Sequence, residues 1–299
     1  MKDIMNIAVV NFTTEWGNKQ VNLKRIIEYC EAAGKRGADF IVFPETALSG
    51  YDTDKDHPRS EMMHTKLAET IPGPATEKVA EIAKKYGMYI VFGMPEKKND
   101  VVYNSAAIIE PEGKTYAYRK IHLPFDEAEW AEPGDDPVLI PTPWGPVGIT
   151  ICYDTYCFPE LIRYYRSMGA RLTLNVTACP DAPCTEGSAV LTIPAYAFVN
   201  YIYIASANLC GIDKYNNFIG GSSVVGPDKS GGGVKTYVGR SFSEEGRDEI
   251  GMKFGTIDLS LADKYAQIPI FRRDENGKRD FRGNLYGKLY AESELKRKQ

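Results

Sequence analysis

An α/β fold of two mixed β-sheets with helices on the outside is predicted from three observations. Short apolar runs alternate with amphipathic helical patterns along the 299 residues, antiparallel strand pairs are mixed among them, and about ten to twelve strands face only four main helices. No internal repeat and no long linker divides the chain. Residues 1–265 are therefore expected to form one domain, with 266–299 as a tail.

The elements justify this in order. Ile4–Phe12 reads as a buried strand, and Leu23, Ile26, Ile27, Cys30 and Ala33 then share one helical face that Gly34 and Gly37 end. Asp39–Phe43 is a short apolar run whose tip carries Pro44-Glu45, while Tyr51–His64 is polar and irregular. Pro74 opens a second helix and Gly87 closes it, before a strand over Met88–Met94. Val101–Glu110 and Lys114–Lys120 flank Pro-Glu-Gly as a hairpin, and Val138–Thr142 and Val147–Ile151 flank PTPWGP in the same way. A helix over Phe158–Met168 and a strand over Arg171–Val176 follow. Glu186–Asn200 reads as a helix that Pro194 should kink or truly begin. Tyr201–Ala207, Ile219–Gly226 and Met252–Asp258 complete the strands. From Asp263 the periodicity is lost, and the tail is expected to pack on its own domain or at a subunit interface.

Composition excludes several functions. Charged residues are 25% and hydrophobic residues 43%, the balance of a soluble globular chain. A net charge of −4 without a Lys/Arg cluster gives no footprint for nucleic acid. No apolar run is long enough for a membrane span, and no signal peptide is read at the start. The six scattered cysteines are then expected to be reduced thiols in a cytoplasm.

The chemistry is carried by three strand-end residues far apart in the chain: Glu45 in FPETALSGY, Lys120 in YRKIHLP and Cys152 in ITICYD. Singly, each has an ordinary reading as a helix-dipole carboxylate, a solvated strand lysine or a small buried hydrophobe. Together they form a set for acyl transfer. A thiol nucleophile needs a base, a buried carboxylate can supply it, and a lysine balances the charge and stabilises an oxyanion. With only His57, His64 and His122 available, two of them in the irregular segment, a Cys-His arrangement is poorly supported; His122 is read as a packed neighbour. Cys179 and Cys184 lack a matched second pair and make a weak zinc signal, so no metal or cofactor is expected. Cys157, five residues beyond Cys152, could form a disulfide with it only as a minor oxidative event.

These motifs, in this order, resemble the nitrilase superfamily of carbon–nitrogen hydrolases over nearly the whole chain. The resemblance implies a four-layer αββα sandwich, dimers that continue the layers, and hydrolysis through a thioester. It implies Glu45 as general base, Lys120 as oxyanion stabiliser, Cys152 as nucleophile and the Tyr153 backbone N–H as oxyanion donor. A second glutamate is implied before the Pro133–Asp135 turn, where spacing favours Glu127 over Glu129. Asn175 and Thr177 in LNVTA, together with Tyr51, are expected beside the substrate, while Asn200 and Asn208 are expected to be structural. Two departures matter. Four residues rather than three separate Cys152-Tyr-Asp from Pro159-Glu160, which should reshape the pocket mouth, and Tyr-Asp after the cysteine favours an amide or carbamoyl substrate over a nitrile. Nitrile hydrolysis, acyl transfer to an amine and a silent binding scaffold stay open at this point.

Overall fold

The computed structural model describes residues 1–53, 57–266 and 281–297. Parts of the irregular segment (54–56) and of the tail (267–280 and 298–299) lie outside the described residues. In chain order the strands are β1 Ile4–Asn11, β2 Phe40–Val42, β3 Tyr89–Lys98, β4 Val101–Ile109, β5 Thr115–Arg119, β6 Leu139–Ile140 and β7 Val147–Ile151. They continue with β8 Leu172–Thr177, β9 Tyr203–Asn208, β10 Cys210–Ile212, β11 Asn217–Ile219, β12 Ser223–Pro227, β13 Val234–Gly239 and β14 Gly251–Asp258. The helices are α1 Lys19–Lys35, α2 Met63–Leu67, α3 Pro74–Tyr86, α4 Tyr153–Cys157, α5 Pro159–Ser167, α6 Pro183–Asn200, α7 Ser260–Ala266 and α8 Gly283–Arg297.

Two six-stranded sheets result, ordered β14-β1-β2-β3-β4-β5 and β13-β12-β9-β8-β7-β6. Each has a parallel centre, β1-β2-β3 in the first and β7-β8-β9 in the second, flanked by antiparallel strands. The period of two along each strand sorts side chains between two cores. Met5, Ile7 and Val9 of β1 join Leu172, Leu174 and Val176 of β8 between the sheets. Ala8, Val10 and Phe12 instead join Ile26 and Cys30 of α1 and Val79 and Ala83 of α3. The second sheet is covered by Ile162 and Tyr165 of α5 and Ile193 and Ala197 of α6. This is the expected αββα order of layers.

Two expected elements differ. α6 begins at Pro183 and runs through Pro194, so Pro194 does not mark its start. The missing N–H removes one bond, while buried Ala189, Ile193 and Ala197 keep the helix on the sheet across that break. The single strand expected over 219–226 is broken into β11 and β12 by Gly220 and Gly221, whose φ values of 67° and 85° favour glycine. In the tail, α8 lies beside α5 and α6, with Tyr290 donating a hydrogen bond to Glu160 at 2.7 Å.

Candidate active site

The parallel centres bring strand ends from both sheets to one place. Glu45 follows β2, Lys120 follows β5, and Cys152 follows β7 directly. One bond joins the sheets there directly at the carboxylate: the Ala178 N–H, just past β8, donates to Glu45 Oε2 at 2.9 Å. Glu45 is fully buried, Lys120 is 1% exposed and Cys152 is 9% exposed, so of the three only the cysteine keeps appreciable surface for an incoming molecule.

Lys120 Nζ donates to Glu45 Oε1 at 2.8 Å and to Glu127 Oε2 at 2.6 Å. Asn104 Nδ2 bridges the same two carboxyl groups, donating to Glu45 Oε1 at 2.7 Å and to Glu127 Oε1 in a shorter bond. The expected second glutamate is therefore placed in the cluster as Glu127, which also accepts from the Tyr51 hydroxyl at 3.3 Å. Glu129 is exposed. Burial works against the Lys120 ammonium, but Glu127 and Glu45 outweigh it and hold its pKa well above the ordinary range. For Glu127 burial dominates and raises the carboxyl to about 7, against the pull of Lys120. Burial and then the charge of Glu45 push the Cys152 thiol well up, with Lys120 opposing them. Both effects favour the thiol form of Cys152 over the thiolate, and a thiol gains nucleophilicity only when a base takes its proton.

Glu127 needs its carboxylate lone pairs for Lys120, Asn104 and Tyr51, and protonation withdraws one of them. Activity is expected to fall as pH drops through about 7, and Glu127→Gln should remove that limb while lowering kcat. Profiles of kcat against pH for the two proteins check this.

Backbone positioning explains several further residues. Cys152 sits at φ 50°, ψ −101°, a sparsely populated conformation held by its N–H on Val176 O at 2.9 Å. Helix α4 starts at Tyr153, whose N–H is among the first-turn amides that no intrahelical carbonyl accepts. The Lys120 N–H bonds Asn104 O and its carbonyl accepts from Gly134 N–H, both at 2.8 Å. A Cβ on Gly134 would lie 2.5 Å from Arg119 O, which is why the Pro133–Asp135 turn holds glycine at its centre. A Cβ on Gly93 of β3 would lie 2.5 Å from Glu45 Cα, so only glycine lets that segment approach. Asp154 staples the site across the sheets: its carboxylate accepts from Tyr118 Oη at 2.7 Å and from the backbone N–H and Nδ1 of His122 at 2.9 and 2.8 Å. His122 also stacks on Phe158, ring centroids 3.3 Å apart.

Asn104, Gly93, Gly134 and Asp154 were not singled out by sequence reasoning. A polar Asn-Ser pair inside the apolar run of β4 is the one local signal that points to Asn104. His64 is fully buried and its pKa is lowered by burial to about 3, so it is a neutral packing group under Tyr51 and Trp130. Asn175 is also fully buried, its amide taken up by Thr155, Tyr156 and Ser206, so it is not on an open pocket wall as expected. Thr177 is buried beside Cys152. Asn200 and Asn208 are held by backbone carbonyls and amides, the structural part expected of them.

Comparison with known proteins supplies the deciding observation: the sequence profile of the carbon–nitrogen hydrolase family matches residues 6–267. The chain belongs to that family. As a carbon–nitrogen hydrolase it acts on carbon–nitrogen bonds other than peptide bonds. It is 34% identical over 268 residues to the omega-amidase NIT2 of Bos taurus, covering 85% of this chain and 89% of that protein. It is 32% identical over 260 residues to a nitrilase of Pyrococcus abyssi, covering 86% and 91%. Among solved structures, Saccharomyces cerevisiae Nit3 superposes with a TM-score of 0.74 at 24% identity, covering 91% of this chain and 97% of that one, and shares the fold. An amidase from Nesterenkonia sp. superposes at 0.69 with 25% identity, covering 90% and 96%. Among the described residues no helix is long and apolar enough to cross a membrane.

Proposed function

We propose that this hydrolase cleaves a small linear amide or N-carbamoyl group through a thioester on Cys152. The observation that carries the reading is the buried Glu45–Lys120–Glu127 cluster beside the Cys152 thiol, whose pKa is held up by burial and by Glu45. Cys152 Sγ attacks the carbonyl carbon as Glu45 takes the thiol proton. The carbonyl electron pair moves to oxygen, where Lys120 and the Tyr153 N–H receive it. Collapse expels ammonia with the proton from Glu45. Water then gives a proton to Glu45 and adds to the thioester, and the sulfur leaves and is reprotonated. Glu127 and Asn104 hold Lys120 and Glu45 in register.

The 34% identity to an omega-amidase supports a substrate with a polar group at the end remote from the amide. A nitrile is the second reading, favoured by the 32% identity to a protein named nitrilase and opposed by Tyr-Asp after Cys152. A panel of ω-amides, simple amides, N-carbamoyl amines and matched nitriles, read by ammonia release, tests this. Turnover of an amide or carbamoyl compound with no turnover of its nitrile is the expected result. Turnover of the nitrile alone would reverse the assignment. Exposed Leu191, Phe198 and Val199 on α6, with Tyr164 on α5 and Met168 just past its end, support a homodimer through that face, with the tail beside it. A cytoplasmic location goes with the free thiols among the described residues.

A further inference from the structure

His64 does more than fill space behind Tyr51, because each of its ring nitrogens meets a polar partner. The Asp52 backbone N–H, one residue past Tyr51, donates to His64 Nε2 at 3.0 Å. A backbone N–H can only donate, so Nε2 presents its lone pair and the ring proton of the neutral imidazole sits on Nδ1. Nδ1 faces Ser49 Oγ in a longer contact of 3.4 Å, while the Ser49 hydroxyl gives its own proton to Gly50 O at 2.9 Å. In the other direction the Met63 N–H, beside His64, donates to Asp52 Oδ2 at 3.0 Å. The imidazole thus ties α2 to the segment that carries Tyr51. Its ring lies on Trp130 with centroids 4.0 Å apart, and it meets the Tyr51 ring at 5.9 Å and 82°. The Trp130 N–H in turn donates to Glu127 O at 3.2 Å. One buried ring therefore touches the residues on both sides of the bond from the Tyr51 hydroxyl to Glu127 Oε2. His64, Ser49 and Asp52 are all buried, so water does not compete for these contacts.

We propose that His64 is a positioning residue of the reaction: it holds the Tyr51 hydroxyl on Glu127, and through it the carboxylate that Lys120 is paired with. Glu127 accepts from Lys120, Asn104 and Tyr51, and shares Lys120 and Asn104 with Glu45 as the second acid. Of its three side-chain donors the tyrosine makes the longest bond, 3.3 Å, so it is the one most readily lost when its support slackens. Trp16 Nε1 donates to Tyr51 O at 3.1 Å and gives the segment a second anchor. Loss of the imidazole should therefore loosen the hydroxyl without releasing the backbone. The inference rests on the proposed part of Glu127 in holding Lys120.

The test reads Glu127 directly and then through turnover. Protein carrying carbon-13 at the glutamate carboxyl carbons is titrated by NMR, and the Glu127 signal is the one missing from Glu127→Gln. Turnover is ammonia release from the amide found in the substrate panel. His64→Leu keeps much of the bulk and removes both ring nitrogens. It is expected to raise the Glu127 midpoint by about half a pH unit and to lower kcat about fivefold, because a donor to the carboxylate is weakened. Tyr51→Phe, which deletes that donor, should move them by about one unit and about tenfold. His64→Gln, whose amide oxygen reaches about as far as Nε2, should restore both. In the Tyr51→Phe background His64→Leu should move neither further, since the bond through which it acts is already gone. His64→Asn, which stops short of Asp52, carries the comparison if His64→Leu does not fold. An unmoved Glu127 midpoint and kcat in the His64 variants, or an equal loss in the Tyr51→Phe background, would overturn the inference, even with a lowered melting temperature. Unaltered turnover by Glu127→Gln is a separate failure, and it would fall on the proposed mechanism instead.

Discussion

Lys120→Met is expected to abolish turnover and to lower unfolding stability by about 3–5 kcal/mol, the cost of removing one partner from a buried ion pair. Lys120 is 1% exposed and its ammonium is shared between two carboxyl groups at 2.8 and 2.6 Å. Methionine fills much of the same volume, so the loss is electrostatic. Glu45 and Glu127 would be left facing each other across Asn104 with no cation. Part of the penalty would be relieved by proton uptake, so the destabilisation should be smaller at acid pH than at neutral pH. Urea titrations at the two pH values measure both the size and its sign. A variant as stable as the unaltered protein at neutral pH would show that the cluster is not held by this charge.

Glu45→Gln is expected to lower kcat by roughly 10²- to 10⁴-fold, the range supplied by a positioned general base. Glu45 Oε1 accepts from Lys120 and Asn104 and Oε2 accepts from Ala178 N–H, so every neighbour is a donor. A glutamine must turn its amide nitrogen towards one of them, which adds a modest stability cost without moving the backbone. Both acylation and thioester hydrolysis should slow, because in the proposed mechanism the same carboxylate serves each. Stopped-time ammonia assays with the variant, beside its melting temperature, separate the lost base from lost structure.

Much of the architecture was legible because its signals are local. A mostly apolar run marks β1 as a buried strand, the helical face from Ile26 to Ala33 marks α1, and Pro74 with Gly87 frames α3. Strand-end placement made Glu45, Lys120 and Cys152 visible as a set before any distance was known. The turn at Pro133–Asp135 pointed to Glu127, and the structure brings that residue to Lys120. What could not be read depends on approach between distant segments. Gly93 matters because the backbone at Glu45 presses on it, and nothing in the residues around Gly93 announces that neighbour. Asn104 looks like a flaw in an apolar strand until two carboxyl groups from separate loops converge on its amide. Asn175 stands two residues from the end of β8, the strand that leads to Ala178 at the site, and only its buried partners reveal that it faces inward. Gly220 and Gly221 broke a strand that their apolar neighbours made look continuous.

The central claim is that strand ends from two sheets assemble a cysteine acyl-transfer site. Its most direct test is mass spectrometry of enzyme acid-quenched during turnover of a reactive small amide. The predicted result is a mass increment equal to the acyl group, localised to Cys152 and formed at the rate of the first ammonia released. Steady ammonia release with no increment at Cys152, and with Cys152→Ala as active as the unaltered protein, would contradict the account.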